Sequence, residues 1–236
     1  MNLLLLEDSD FIDERVVELS GRRLKHMLKI KKISVGSVLK TGVLNGQTGA
    51  ATIIKILPDS VIAQVDLTEN PPPILPLTVV LALPRPKMLK RIIQTLATLG
   101  VKNIYLLNTW KVEKSYWQTS CLSESYIREQ LILGLEQGCD TLLPEVTIKK
   151  YFKPFVEDEL EGIAKNKYSL VAHPASDSPC PTGIDKPTIL AIGPEGGFTD
   201  YEIKKFTDIG FKSVNLGKRI QRVETIIPSL LGRIFL

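Results

Sequence analysis

Cysteine and histidine are scarce in this 236-residue chain, and their scarcity removes whole classes of chemistry. The three cysteines, Cys121, Cys139 and Cys180, are an odd number, and none belongs to a C-x-x-C pair. Such a set predicts free thiols in a reducing compartment, not a disulfide framework. The two histidines, His26 and His173, lie far apart in sequence, so no metal site is expected. No apolar run approaches the ~20 residues that cross a bilayer, so no membrane partner is expected. The leucines at positions 3–6 lack a basic flank and predict a first strand in place of a secretion signal. A cytoplasmic location follows as the expectation. Three nucleotide and hydrolase signatures are also missing. Gly217-Lys218 is followed by Arg219, which rules out the phosphate-binding pattern G-x-x-x-x-G-K-S/T. There is no dinucleotide G-x-G-x-x-G, and no G-x-S-x-G nucleophile elbow.

Charge is present, and it is unevenly placed. The formal net charge is only +4. Yet Arg22, Arg23, Lys25, His26, Lys29, Lys31 and Lys32 fall in one stretch without an acid. Arg85, Lys87, Lys90 and Arg91 form a second cluster, and Lys218, Arg219 and Arg222 a third. Acids gather elsewhere, as in Glu157-Asp158-Glu159-Leu160-Glu161. Segregation of this kind predicts phosphate contacts with a polyanion. Arg22, Arg23, Lys25, Lys29, Lys31, Lys32, Arg85 and Lys87 are the candidate phosphate-contacting residues; the alternative for any one cluster is a solvated basic face.

Asn70-Pro71-Pro72-Pro73-Ile74-Leu75-Pro76 predicts an extended linker over 71–76, because consecutive prolines fit neither a helix nor a central strand. Residues 1–70 read as a small β-barrel-like module, with a hairpin at Asn45-Gly46. They also hold one basic helix capped by Ser20, with Leu24, Met27 and Leu28 inward. Residues 77–236 read as α/β. Leu77–Leu83 is a buried parallel strand, and Met88–Leu99 an amphipathic helix closed by Gly100. Further strands are expected at 101–107, 146–148, 169–172, 188–192 and 213–216. Helices are expected at 123–137, 199–210 and 224–235, and Thr199 with Glu202 forms a capping box for the second of these.

Two loops each join a strand to a helix at the carboxyl edge of that sheet, where α/β folds bind ligands. They are Gly193-Pro194-Glu195-Gly196-Gly197-Phe198 and Leu216-Gly217-Lys218-Arg219-Ile220-Gln221-Arg222-Val223-Glu224-Thr225. The pair resembles the signature loops of the bacterial 16S rRNA uracil-N3 methyltransferases (RsmE), of the SPOUT class. Lys87-Met88, Leu99-Gly100-Val101, Glu136-Gln137 with Pro144-Glu145-Val146, and Val171-Ala172-His173-Pro174 are similar to other segments of that family, as is His26 with Gly36. The departures are Leu89 after Lys87-Met88, Gly138 after Glu136-Gln137, and Asn108-Thr109-Trp110-Lys111, which lacks the family's arginine.

The resemblance implies a PUA-like RNA-binding barrel followed by a methyltransferase domain with a trefoil knot. It implies a homodimer acting on 16S rRNA of the small (30S) ribosomal subunit. It further implies S-adenosylmethionine bound by three loops. These are Ala172, His173 and Pro174; Gly193, Pro194, Glu195, Gly196 and Gly197; and Leu216, Gly217, Arg219, Ile220 and Gln221. Uracil N3 must lose a proton before it attacks a methyl group. Arg222 is the candidate that stabilises the resulting anion, with Glu224 and Thr225 in support. No general base is identified. A second reading keeps the fold as an RNA-binding assembly factor without catalysis, and a third is a nucleotide-binding enzyme acting on small molecules.

Overall fold

In a computed structural model, which describes residues 2–235, the chain divides into two compact units. The ends of the two expected domains, Met1 and Leu236, lie outside the described residues. One unit holds the chain up to Pro73 with Ala97–Gly100 and Leu131–Leu143. The other holds Ile74–Leu96, Val101–Gln130 and the chain from Pro144 on.

The first unit is built on β1 (Leu4–Leu6), β2 (Phe11–Asp13), β3 (Val16–Ser20), β4 (Val38–Val43), β5 (Thr48–Ile56) and β6 (Ser60–Glu69). Their order is β1-β4-β5-β6-β3-β2, antiparallel except for β1 beside β4. In a flat sheet the edge strands β1 and β2 would stand about 24 Å apart, five spacings of ~4.8 Å. Only Glu7–Asp10 joins them, mostly as a 3-10 turn, and the steps from Leu6 to Phe11 reach less than about 18 Å. The sheet therefore curls into a half-barrel whose edges stay unpaired, where the sequence suggested a barrel. Val61, Ala63 and Val65 alternate into its core with Leu4, Leu6, Val17 and Leu19. The intervening leucines Leu3 and Leu5 face the other way and pack with Leu135, which explains an unbroken leucine run. The Asn45-Gly46 turn forms as expected: Asn45 has φ 60° and the Gly46 amide donates to the Val43 carbonyl at 2.8 Å.

Helix α1 (Gly21–His26) follows β3. Ser20 holds the N-cap position, but its side chain makes no cap bond. Leu24 and Met27 are buried as expected, whereas Leu28 is 39% exposed. The cause is a change of period: α1 runs into a wider π-helical turn, Met27–Lys31, ended by Lys32 at φ 50°. Widening the turn rotates every later side chain away from the 3.6-residue stripe.

The remaining elements are β7 (Leu77–Ala82), α2 (Pro86–Thr98), β8 (Asn103–Leu107), α3 (Glu124–Gly138), β9 (Glu145–Lys149), α4 (Phe152–Pro154), α5 (Glu161–Ala164), β10 (Tyr168–Ala172), β11 (Thr188–Ile192), α6 (Asp200–Asp208), β12 (Lys212–Val214) and α7 (Val223–Phe235). Their sheet is wholly parallel, in the order β12-β10-β11-β7-β8-β9. β7 and β11 at its centre are buried at every residue, as continuous apolar runs require. Leu89, Ile92, Ile93 and Leu96 of α2 are at most 1% exposed, each contributing about 1.5–3 kcal/mol of burial.

A π-turn, Phe155–Leu160, connects α4 to α5, a stretch that carried no helical expectation. The connection from β10 to β11 is strapped to α7: Ile184 donates its amide to the Ile234 carbonyl at 2.7 Å, and Arg233 Nε donates to the Cys180 carbonyl at 2.7 Å. Pro228 sits inside α7 and leaves a carbonyl one turn back without its amide donor. One residue on, the Ser229 hydroxyl donates to the Thr225 carbonyl at 2.9 Å.

Candidate functional site

The strand order sets the carboxyl ends of β12, β10 and β11 side by side, and the chain turns outward from each. Ala172, His173 and Pro174 leave β10; Gly193, Pro194, Glu195, Gly196 and Gly197 leave β11; Leu216, Gly217, Arg219, Ile220 and Gln221 leave β12. All of them line one cavity of about 410 Å³, within the ~300–1,000 Å³ range of small-ligand pockets. It lies where the strand order reverses, since β7, β8 and β9 run the other way across the sheet.

Short-range bonds hold the three walls. Asn215, at the end of β12, donates its side-chain amide to the Ser176 carbonyl and accepts the Gly217 amide at 2.7 Å. Its backbone bonds Ser178 and Cys180, which fastens the loop after β10 to the loop after β12. Gly197 and Gly217 have φ of +70° and +94°, a region that larger L-residues avoid. The expected capping box forms. The Glu202 amide donates to Thr199 Oγ1 at 3.2 Å, and Glu202 Oε2 accepts the Thr199 amide at 2.8 Å. Glu195 Oε1 accepts the Arg85 amide at 3.1 Å, joining the loops after β11 and β7.

Sequence reasoning did not single out Lys111, Phe198, Asn215 or the apolar floor of Val223, Ile226 and Leu230, all of which line the cavity. The floor was legible as the inner stripe of α7, at i, i+3 and i+7. Lys111 was not: its Nζ donates to the Gly196 carbonyl at 2.9 Å across 85 residues of sequence.

Arg222 stands apart from these residues. It is exposed and does not line the cavity, and its carbonyl accepts the amides of Thr225 and Ile226 at 3.0 and 2.9 Å. Glu224 is half-buried and Thr225 exposed, both in the first turn of α7.

The basic stretch of the first unit is divided. Arg22 forms a two-pronged pair with Glu136 at 2.8 and 2.6 Å, and Arg23 one with the buried Asp10 at 2.6 and 2.5 Å. Lys25, Lys29, Lys31 and Lys32 are exposed. In the second unit Arg85 and Lys87 are exposed as well. The Tyr116 hydroxyl, then Glu195, holds the Arg85 guanidinium more firmly charged than usual. Among the described residues no helix is long and apolar enough to cross a membrane, and no cluster of His, Cys, Asp and Glu could hold a metal ion.

Residues 70–234 match the RNA methyltransferase domain family, well over half of the chain. The chain belongs to that family. It is therefore an RNA-methylating enzyme by class, and the glycine-walled cavity sits within the matched region. Ribosomal RNA small subunit methyltransferase E of Treponema pallidum is 28% identical to it, over 95% of this chain and 87% of that protein. Ribosomal RNA small subunit methyltransferase E 1 of Borreliella burgdorferi is 27% identical, over 95% and 93%. The structure of ribosomal RNA small subunit methyltransferase E from Neisseria gonorrhoeae bound to S-adenosyl methionine superposes with a TM-score of 0.72, over 98% of this chain and 95% of that one, at 21% identity. The two share a fold.

Proposed function

We propose that this family member transfers a methyl group from S-adenosylmethionine to N3 of a uridine in 16S rRNA of the small ribosomal subunit, acting as a homodimer. One observation carries the reading: three separate segments, each leaving a neighbouring parallel strand, converge on a single backbone-walled cavity of about 410 Å³. The names of the Treponema and Borreliella relatives and the ligand of the Neisseria structure support the same reading. Division into two units also suits a PUA-like RNA-binding module before a SPOUT domain with a knotted C-terminus, with the boundary at residues 71–76.

The cavity fits such a donor in kind. Gly193, Gly196, Gly197 and Gly217 line it, and glycine backbone can approach an adenosine closely and read its edge with N–H and C=O groups. Its floor of Val223, Ile226 and Leu230 is apolar. Residues 172–174, 193–197 and 216–221 would hold the donor, which supplies a methyl group on a sulfonium centre. The task of the chain is then alignment and charge. When N3 of the uracil loses its proton, negative charge spreads to O2 and O4. The Arg222 guanidinium, exposed beside the cavity and fixed at its backbone by the first turn of α7, would stabilise that charge. Lys25, Lys29, Lys31, Lys32, Arg85 and Lys87 would meet phosphates, with Arg22 and Arg23 bracing the helix that carries the first four.

The test is methyl incorporation from labelled donor into undermethylated small subunits and into naked 16S rRNA, followed by nucleoside analysis. N3-methyluridine in the subunit product is the expected outcome. Methyl transfer to any other atom, or none, would reject the assignment.

A further inference from the structure

Beyond β8 and β9 lies a second concavity that the donor reading does not use. It is an open groove of about 930 Å³. Trp110 and Trp117 enter it from the segment after β8, Tyr151 and Phe152 from the segment after β9, and Tyr201 from α6. Trp110 is 84% exposed, Tyr151 72% and Tyr201 52%. Large rings are costly to leave in water, and three in one groove form a patch that calls for a ligand.

The segments that present these rings are held firmly. The Trp110 amide donates to Glu202 Oε1 at 2.8 Å, and Glu202 is 2% exposed. Trp117 Nε1 donates to Asn108 Oδ1 at 2.8 Å, and Asn108 in turn reaches the Lys150 carbonyl. Among the described residues no ring contact joins Trp110, Trp117, Tyr151 and Tyr201 to one another, so their faces are not spent on one another. Thr109, which borders the groove, is 4% exposed, and its buried Oγ1 has no hydrogen-bond partner among the described residues. The charge on the rim is mainly positive, with Lys153 lying 3.9 Å from the Glu157 carboxylate. Lys114, Lys150 and Lys153 line the groove, while the lining carboxylate, Glu202, already accepts two backbone amides.

We propose that this groove binds unpaired nucleotides of the substrate RNA, with bases stacked on Trp110 and Tyr151 and phosphates on the lysines. Aromatic faces stack any base, and lysines track the backbone, which is how single strands are held without strict sequence preference. A duplex buries its base faces in its own stack and could not use the rings. A second copy of this chain is a poorer occupant, because a two-fold contact here would set the same lysines against each other. The proposal rests on the reading of the chain as an RNA methyltransferase, and it places a strand-binding surface on the same sheet edge as the donor cavity.

The chain has two tryptophans, so a Trp117→Phe protein leaves Trp110 as the sole indole reporter. Titration with a short single-stranded oligouridylate should quench its emission, and a duplex of equal length should leave it unchanged. Trp110→Ala should weaken single-strand binding about five- to a hundred-fold by fluorescence anisotropy. Calorimetric S-adenosylmethionine binding should persist in that variant. Lys150→Ala should flatten the salt dependence of strand binding by about 0.7 in logarithmic slope. Unquenched emission with the strand bound would overturn the proposal. So would unchanged affinity in Trp110→Ala, or a change in sedimenting mass in that variant without any loss of RNA affinity. If wild-type protein binds no S-adenosylmethionine while quenching persists, the donor assignment fails and the groove assignment stands.

Discussion

The donor cavity and the aromatic groove lie along one edge of the same parallel sheet and are made of different material. Beyond β10, β11 and β12 the walls include four glycines, two of them at φ of +70° and +94°, in loops fixed by Asn215 and the Thr199–Glu202 capping box. Beyond β8 and β9 the walls are side chains, three exposed rings and three lysines on segments anchored from beneath. Backbone walls give shape and a fixed array of donors and acceptors, which suits one small ligand. Exposed rings and lysines give adaptable contact area, which suits a flexible polyanion. Glu202 belongs to both: one carboxylate oxygen caps α6 beside the cavity, and the other holds the Trp110 amide beneath the groove.

The comparison breaks most visibly at Arg222, which belongs to neither wall. If it supplies charge to the reacting base, Arg222→Ala should lower single-turnover methyl transfer by about 10²–10³-fold, the usual loss for one charge-stabilising group. S-adenosylmethionine affinity should be unchanged. Equal loss in rate and in donor affinity would make Arg222 part of the cavity instead.

A smaller effect separates backbone from side-chain walls directly. Gly197→Val forces a branched residue into the left-handed region, at about 1–3 kcal/mol of strain. The loop can relieve this only by leaving its shape, so donor affinity should fall about tenfold or more. Gly197→Asn, whose side chain tolerates that region, should retain most of the affinity. Equal loss in both variants, or none in either, would show that the shape of the loop is not what binds.

Glu202→Ala should disturb both concavities through stability. It removes a capping box and leaves the Trp110 amide without its acceptor, together about 2–3 kcal/mol. For a chain of this size that corresponds to a melting temperature lower by roughly 4–12 °C. Calorimetric unfolding checks it, and a shift near zero would mean that another group takes over the Trp110 amide.

The two concavities also differ in how far sequence foretells them. The backbone cavity was legible because its signals are local: apolar runs such as Thr188–Ile192 mark strands, and the glycines follow at once. The groove was not, because Trp110, Tyr151 and Tyr201 come from three distant segments and each looks like an ordinary surface aromatic. The same limit applies to charge. Residues 22–32 contain no acid, yet Arg22 and Arg23 are both paired, with Glu136 and Asp10 brought from 114 and 13 residues away. Phase within helices was a further blind spot. Leu28 and the 155–160 stretch lie within π-turns, and apolar periodicity reads only the 3.6-residue repeat.

The smallest expected effect probes the comparison inside a single loop. A Cβ on Gly196 would meet the Lys111 side chain, with Cδ at 3.1 Å and Cβ at 3.2 Å. A Cβ on Gly193 would meet backbone instead, the Phe198 nitrogen at 3.1 Å and Gly197 atoms at 3.3 Å. The Lys111 Cδ can yield by a few tenths of an ångström, whereas the Lys111 Cβ and the Phe198 nitrogen move only with their loops. Gly196→Ala should therefore be the milder of the two, since one of its two close contacts can yield and the rest of the strain is offset by about 0.4–1 kcal/mol from the restricted unfolded chain. Gly193→Ala receives the same offset but must displace the loop from Gly197 to Phe198, so it should lose both stability and S-adenosylmethionine affinity. Paired denaturant titrations and calorimetry compare the two. If Gly196→Ala proved the more damaging, the Lys111 Nζ bond to the Gly196 carbonyl would be a structural part of the cavity, and its wall would no longer be mainly backbone.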